Sequence, residues 1–298
     1  MKIEKIVSNS DNLELEICIM EPTGKAKGII QFSHGMAEHK ERYYNFMEYL
    51  TKCGYICVIH DHRGHGASIN KMLGDFNTED INYIVNDLYQ VTCYVKNLYK
   101  NLDVILFSHS MGTLVSRCYL QKYDSSIKKI ILCGPPTYNN MSNLAIILAN
   151  ITKPFYKNRP NRLLNKLTFS SYNKGINIEN GWICNNKDAV EEYNNDELCG
   201  YIFTTNGFIN LYKLMKNSFN KKNFKVLNKD LKILLIAGEL DPVIQSKEKF
   251  YQLKVFLEDL GYKNIECKLY SNMRHELLNE KDKKVVYKDV LDFIEKNK

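Results

Sequence analysis

The stretch Asp103-Val-Ile-Leu-Phe-Ser-His-Ser-Met-Gly-Thr113 decides the fold. Val104 to Phe107 form an unbroken apolar run, the mark of a parallel strand buried on both faces. Leu114, Val115, Cys118 and Tyr119 then recur at helical spacing, so strand passes into helix around Ser110. Such a turn needs small residues two before and two after the serine, because strand and helix cross too closely there for large side chains. Gly112 meets this need, and Ser108 stands where glycine is the usual residue. The turn offers Ser110 as a nucleophile. Taken alone, the pentapeptide equally suits a helix-capping serine without chemistry.

Outward from this point the chain alternates strands and helices. Leu13 to Ile19 has the period-two pattern of a strand with one wet face near a sheet edge. Ile29 to Phe32 is a more buried strand running into Ser33-His-Gly-Met-Ala-Glu-His39. Tyr43, Phe46, Met47 and Leu50 mark a helix that Gly54 stops. The strand Tyr55 to Ile59 ends in Asp61-His-Arg-Gly-His-Gly-Ala-Ser68, and a helix from about Thr78 to Leu98 leads to the Ser110 strand. Lys129 to Cys133 is the next strand. The rhythm returns with the strand Lys232 to Ala237, the helix Ser246 to Leu260, a near-edge strand at Ile265, Cys267 and Leu269, and a closing helix around Val286 to Ile294. This order predicts an α/β fold with a mostly parallel central sheet, helices on both faces, and the site in the loops at the strands' C-terminal ends.

Between the two regular parts lies a stretch of different character. Residues 136–228 are rich in Asn, Lys and Tyr and read as an inserted helical cap on a core of residues 1–135 and 229–298. Within it Leu144, Ile147, Leu148 and Ile151 share one helical face, and Ala145, Ile146 and Ala149 widen it. No acidic residue occurs from Ser125 to Ile178, while Lys153, Lys157, Arg159, Arg162 and Lys166 follow the apolar segment. Two readings stand: a helix docking on an anionic membrane surface, and a helix packed on the core beside a solvated basic patch.

Composition narrows the function classes. With 298 residues, 44% of them hydrophobic, the chain can bury a large core, and disorder is excluded as a description of the whole. The nine cysteines lack metal-type spacing and fall mostly in apolar segments, so they read as reduced core residues. The N-terminal residues have no export-signal pattern and the longest apolar run, Leu144 to Ala149, is too short to span a bilayer, which gives a cytoplasmic expectation. The net charge of +7 comes without an aromatic-interleaved basic motif or a recognition helix, so nucleic acid is not an expected partner.

A serine hydroxyl needs a base to take its proton and an acid to orient that base. In elbow-type serine hydrolases the chain order is nucleophile, acid, histidine, and of the seven histidines only His275 lies beyond Ser110. Asp241 is the preferred acid because it follows a buried strand by a few residues, as Ser110 and His275 do; Glu239 is the alternative. Charge developing on a substrate carbonyl oxygen needs preorganised donors, which the backbone amides of Met111 and Met36 are placed to supply. His109, next to the nucleophile, reads as structural. Asp61, His62, Arg63 and His65 read as a cross-bonded turn supporting the loop at Met36. No metal or cofactor is implied.

His-Gly-x-x-Glu-His at 34–39, Asp-His-Arg-Gly-His-Gly-x-Ser at 61–68, the Ser110 elbow, Gly-x-x-Asp-Pro-Val at 238–243 and Arg-His-Glu at 274–276 resemble the monoglyceride lipase and lysophospholipase group of the α/β-hydrolases. The similarity runs over nearly the whole chain and extends to Asn195-Asp-Glu-Leu-Cys-Gly200, where Glu197 replaces the usual proline. It implies an α/β-hydrolase fold, the triad Ser110, Asp241 and His275, oxyanion amides from Met36 and Met111, and a glycerol head group bound by Glu38 and Arg42. The implied reaction is hydrolysis of single-acyl lipid esters through an acyl-enzyme. A small-ester carboxylesterase, a peptidase and a non-catalytic binding protein of the same fold are the alternatives.

Overall fold

The computed structural model describes residues 1–156 and 159–296. In chain order the elements are β1 Lys2–Val7, β2 Glu14–Met20, β3 Ile29–Ser33, α1 Tyr44–Lys52, β4 Ile56–His60, α2 Asn82–Leu98, β5 Val104–His109, α3 Met111–Tyr123 and β6 Lys129–Cys133. Then come α4 Ser142–Thr152, α5 Arg162–Phe169, α6 Lys187–Asn195 and α7 Thr205–Ser218 before β7 Lys232–Gly238, α8 Lys247–Asp259, β8 Asn264–Tyr270 and α9 Lys283–Glu295. The eight strands form one sheet in the order β1-β2-β4-β3-β5-β6-β7-β8. β1 and β2 pair antiparallel, β2 and β4 likewise, and every other pair is parallel.

Strand alternation divides the core into two layers. In β5, Val104 and Leu106 face α2, α3 and α8, where Leu88, Leu114 and Leu253 pack. Ile105 and Phe107 face the other way, onto Phe46 and Leu50 of α1 and Val286 and Val290 of α9. Helices therefore cover both faces of the sheet, as the strand–helix rhythm predicts. Full burial of such a side chain contributes about 1.5–3 kcal/mol. All nine cysteines are free thiols, six of them buried.

Residues 14–20 lie second from the sheet edge, near it as expected; the edge strand β1 is an addition to the expected strands, with Ile3 and Val7 exposed. One expected boundary shifts. The helix expected from Thr78 begins at Asn82, because the Thr78 and Asp80 side chains accept the amides of Asp80 and Asn82 and hold a turn there. Between β6 and β7 the described residues form four α-helices, with α7 packed on α3 and α4. No helix among the described residues is long and apolar enough to cross a membrane.

Candidate active site

Ser110 sits between β5 and α3 at φ 50° and ψ −120°, a backbone conformation costly for a side-chain-bearing residue. Its amide donates to the Cys133 carbonyl at 3.0 Å, and its carbonyl accepts from the Thr113 amide at 2.9 Å. The close crossing expected from sequence is tight: a Cβ on Gly112 would lie 2.1 Å from the Ser33 carbonyl oxygen and 2.6 Å from that of His34. Ser108 is buried, and its hydroxyl donates to the Ile131 carbonyl at 3.0 Å, so the neighbouring strand accommodates serine in place of glycine. On the other side of Ser110, a Cβ on Gly35 would meet its Cβ at 3.2 Å.

Asp241 and His275 come together from the ends of β7 and β8. The His275 Nδ1 lies 2.9 Å from Asp241 Oδ2, and Asp241 Oδ1 accepts the Val243 amide at 2.8 Å. Both side chains are buried. Gly134 and Gly238 make room: a Cβ on Gly134 would stand 3.0 Å from the His275 ring, and one on Gly238 would stand 2.2 Å from the Met273 carbonyl oxygen. Glu239, the alternative acid, instead pairs with Lys247 at 2.8 Å. Trp182, from the segment between α5 and α6, covers His275 with ring centroids 5.2 Å apart, and Ile183 accepts the Glu276 amide at 2.7 Å.

Ser110 and His275 border one cavity of about 540 Å³, together with Met36 and Met111. Its far walls are apolar and come from α4, α5 and α7, through residues such as Ala145, Leu148, Leu164 and Met215. Glu38 also borders it. Arg42 does not; it pairs with Glu276 at 2.5 Å and with Glu38 at 3.4 Å, two carboxylates that do. Glu38 Oε1 accepts from the Gly35 amide at 2.5 Å, the Tyr43 hydroxyl at 2.8 Å and His109 Nδ1 at 3.0 Å. Burial pushes the Glu38 carboxyl up, but the His109 hydrogen bond, its charge and Arg42 hold it well below the usual carboxylate range.

The loop after β3 is fixed from two sides. Ala37, at φ 52°, presents its carbonyl to the Gly200 amide at 2.9 Å and the Tyr193 hydroxyl at 3.1 Å. His39 Nε2 lies 2.8 Å from Asp196 Oδ2. With Cys199 these two put three possible metal-ligand atoms within 4.8 Å of one another, a closeness that the His39–Asp196 bond already explains. Beneath the loop, His34 Nε2 accepts the His62 amide at 2.8 Å, while Nδ1 lies 2.8 Å from the Gly35 carbonyl and so carries the proton. Asp61 accepts the Lys40 amide, the Lys40 ammonium and the Ala67 amide. Arg63 pairs with Asp87 at 2.8 Å and Asp11 at 3.0 Å. The 61–68 turn is a support for the 34–40 loop, as its composition predicts.

Residues 24–282 match the family described as serine aminopeptidase, S33. The chain belongs to this family. Among curated relatives, this S33 chain is 22% identical over 279 residues to the monoacylglycerol lipase of Mycolicibacterium smegmatis, covering 93% of its own length and 91% of the other. It is 25% identical over 273 residues to the rat monoglyceride lipase, covering 91% and 83%. A solved thermostable carboxyl esterase from Bacillus coagulans, in complex with glycerol, superposes with a TM-score of 0.90 at 22% identity, over 98% of this chain and 97% of that one. The S33 chain has the α/β-hydrolase fold and is a serine hydrolase.

Sequence reasoning missed Trp182 and the pairing of Glu276 with Arg42. Glu276 was visible as the third residue of Arg-His-Glu, but its partner lies 234 positions away. Trp182 carried a signal only as the single tryptophan of the chain.

Proposed function

We propose that the protein hydrolyses single-acyl lipid esters, monoacylglycerol or lysophospholipid, through an acyl-enzyme on Ser110. The observation that carries this reading is the cavity: a polar end bearing Ser110 and His275 opens into an apolar chamber of a size suited to one acyl chain. Relatives named monoacylglycerol and monoglyceride lipase support the same class.

In this mechanism His275, oriented by Asp241, takes the Ser110 proton as the hydroxyl attacks the ester carbonyl. The carbonyl carbon becomes tetrahedral, and the amides of Met36 and Met111 receive the oxyanion. His275 then gives its proton to the departing alcohol, leaving the acyl group on Ser110. Water enters, loses a proton to His275, attacks the acyl carbon, and releases the fatty acid with Ser110 reprotonated. Glu38 and Glu276 face the alcohol end of the substrate, and Arg42 acts there by holding both carboxylates.

Residues 136–228 act as the cap that houses the acyl chain, with α4 as its membrane-facing element. Leu144, Ile147 and Ile151 are all more than half exposed, as are Phe155 and Leu167. Leu144 and Leu167 also border the cavity, as does the half-buried Leu148, so the contact surface proposed on α4 centres on Ile147 and Ile151. Arg159, Arg162 and Lys166 lie exposed nearby; Lys157 of the same basic group lies outside the described residues.

The test is fatty-acid release from monoacylglycerol and lysophosphatidylcholine beside hydrolysis of a short p-nitrophenyl ester. Faster release from one lipid names the head group. Cleavage of the short ester alone would replace the lipid reading with that of a small-ester carboxylesterase.

A further inference from the structure

His109 lies between two acceptors. Its Nδ1 is 3.0 Å from Glu38 Oε1, and its Nε2 is 3.3 Å from the backbone carbonyl of His275. A carbonyl oxygen only accepts, and Glu38 Oε1 already accepts the Gly35 amide and the Tyr43 hydroxyl, which marks it as a carboxylate. A neutral imidazole has one N–H and can satisfy one of these partners. Two protons satisfy both.

We propose that His109 is held as an imidazolium and acts as a positioning residue, tying the Glu38 carboxylate to the backbone of His275. The proposal rests on the triad reading above. His275 is carried on the loop after β8, and its carbonyl is fixed by a cation seated on the strand that presents Ser110. The two imidazole rings lie 4.7 Å apart by centroid.

The surroundings favour the charge. Burial penalises the cation, but the Glu38 hydrogen bond and charge, with Glu276 beyond, outweigh it and raise His109 above an ordinary histidine. The other groups facing the site are Arg42, which neutralises Glu38 and Glu276, and the Tyr43 hydroxyl. On the neighbouring strand Cys133 pairs with His109 and stays a neutral thiol, because burial pushes it well up. The Asp241 carboxylate lies beyond the His275 ring.

Two measurements on the intact protein test this. The first records ring nitrogen resonances of native protein labelled with ¹⁵N-histidine, with His109 assigned by its loss in His109→Gln. At pH 7, where an ordinary imidazole with a pKa of about 6.5 is mostly neutral, His109 is expected to be mostly doubly protonated. A singly protonated ring would overturn the proposal. The second compares kcat and KM on a short ester for native protein and His109→Gln, with matched circular dichroism as the folding check. Losing the tie should lower kcat about tenfold, with KM changed less than about twofold. An unchanged kcat would reduce His109 to packing. Absence of hydrolysis by native protein would remove the triad reading and the positioning role with it, while the nitrogen spectrum would still decide the charge.

Discussion

The role proposed for Ser110 depends on two small neighbours, Ser108 and Gly112, that let β5, α3 and β3 crowd together. Gly112→Ala should be among the most damaging single substitutions in the chain, since its methyl would sit 2.1 Å from a backbone oxygen that side-chain rotation cannot move. The expected cost is about 3 kcal/mol or more, read as a fall in Tm of about 5 °C or more. An unchanged Tm would contradict the crossing geometry. Ser108 shows the limit of pattern reading. The sequence marks it as a departure from glycine, and only the neighbouring strand explains the exception, by accepting its hydroxyl at Ile131. Chain order alone picks out His275. In three dimensions the Asp241 carboxylate meets the imidazole and that of Glu239 a surface lysine, which supports Asp241 as the proposed acid. Glu38 and Arg42 were visible only through family resemblance, which carries no information on which of them reaches the cavity.

At the scale of elements, α4 explains why its sequence is apolar nearly all round. One face, with Ala145 and Leu148, lines the cavity; the opposite face, with Ile147 and Ile151, is exposed. Sequence periodicity registers both as hydrophobic and cannot separate a lining from a docking surface. The double substitution Ile147→Asp and Ile151→Asp separates them experimentally. It should weaken binding to anionic liposomes by about tenfold or more and leave turnover of a short soluble ester within about twofold. Unchanged liposome binding would remove the membrane-facing role. Sequence was also blind to β1, for a related reason: an edge strand with Ile3 and Val7 in solvent has little contrast between its faces.

Across the whole molecule, the strand–helix rhythm made the sheet legible, because parallel strands buried on both faces read as apolar runs. The interior polar network was less legible, although its residues stood in plain motifs. His34, His60, His62 and His65 are all buried and all titrate below an ordinary histidine, with desolvation the leading cause; His60 and His65 fall to about 3. Their folded pKa values lie below the unfolded value, so below pH 6.5 the unfolded chain binds more protons than the folded one. Stability is then full above about pH 6.5 and declines as pH falls, by up to about 1.4 kcal/mol per pH unit for each histidine in that window. The urea midpoint should drop clearly between pH 7.5 and pH 5. A flat midpoint would mean that these histidines are charged in the folded state. The central claim, that Ser110 carries the acyl group, is tested most directly by acid-quenching the protein during monoacylglycerol turnover and mapping the acylated peptide by mass spectrometry. The account predicts an acyl adduct on Ser110, absent from Ser110→Ala, with fatty-acid release reduced by up to about 10⁶-fold. Release by Ser110→Ala at a rate near that of the native protein would contradict it.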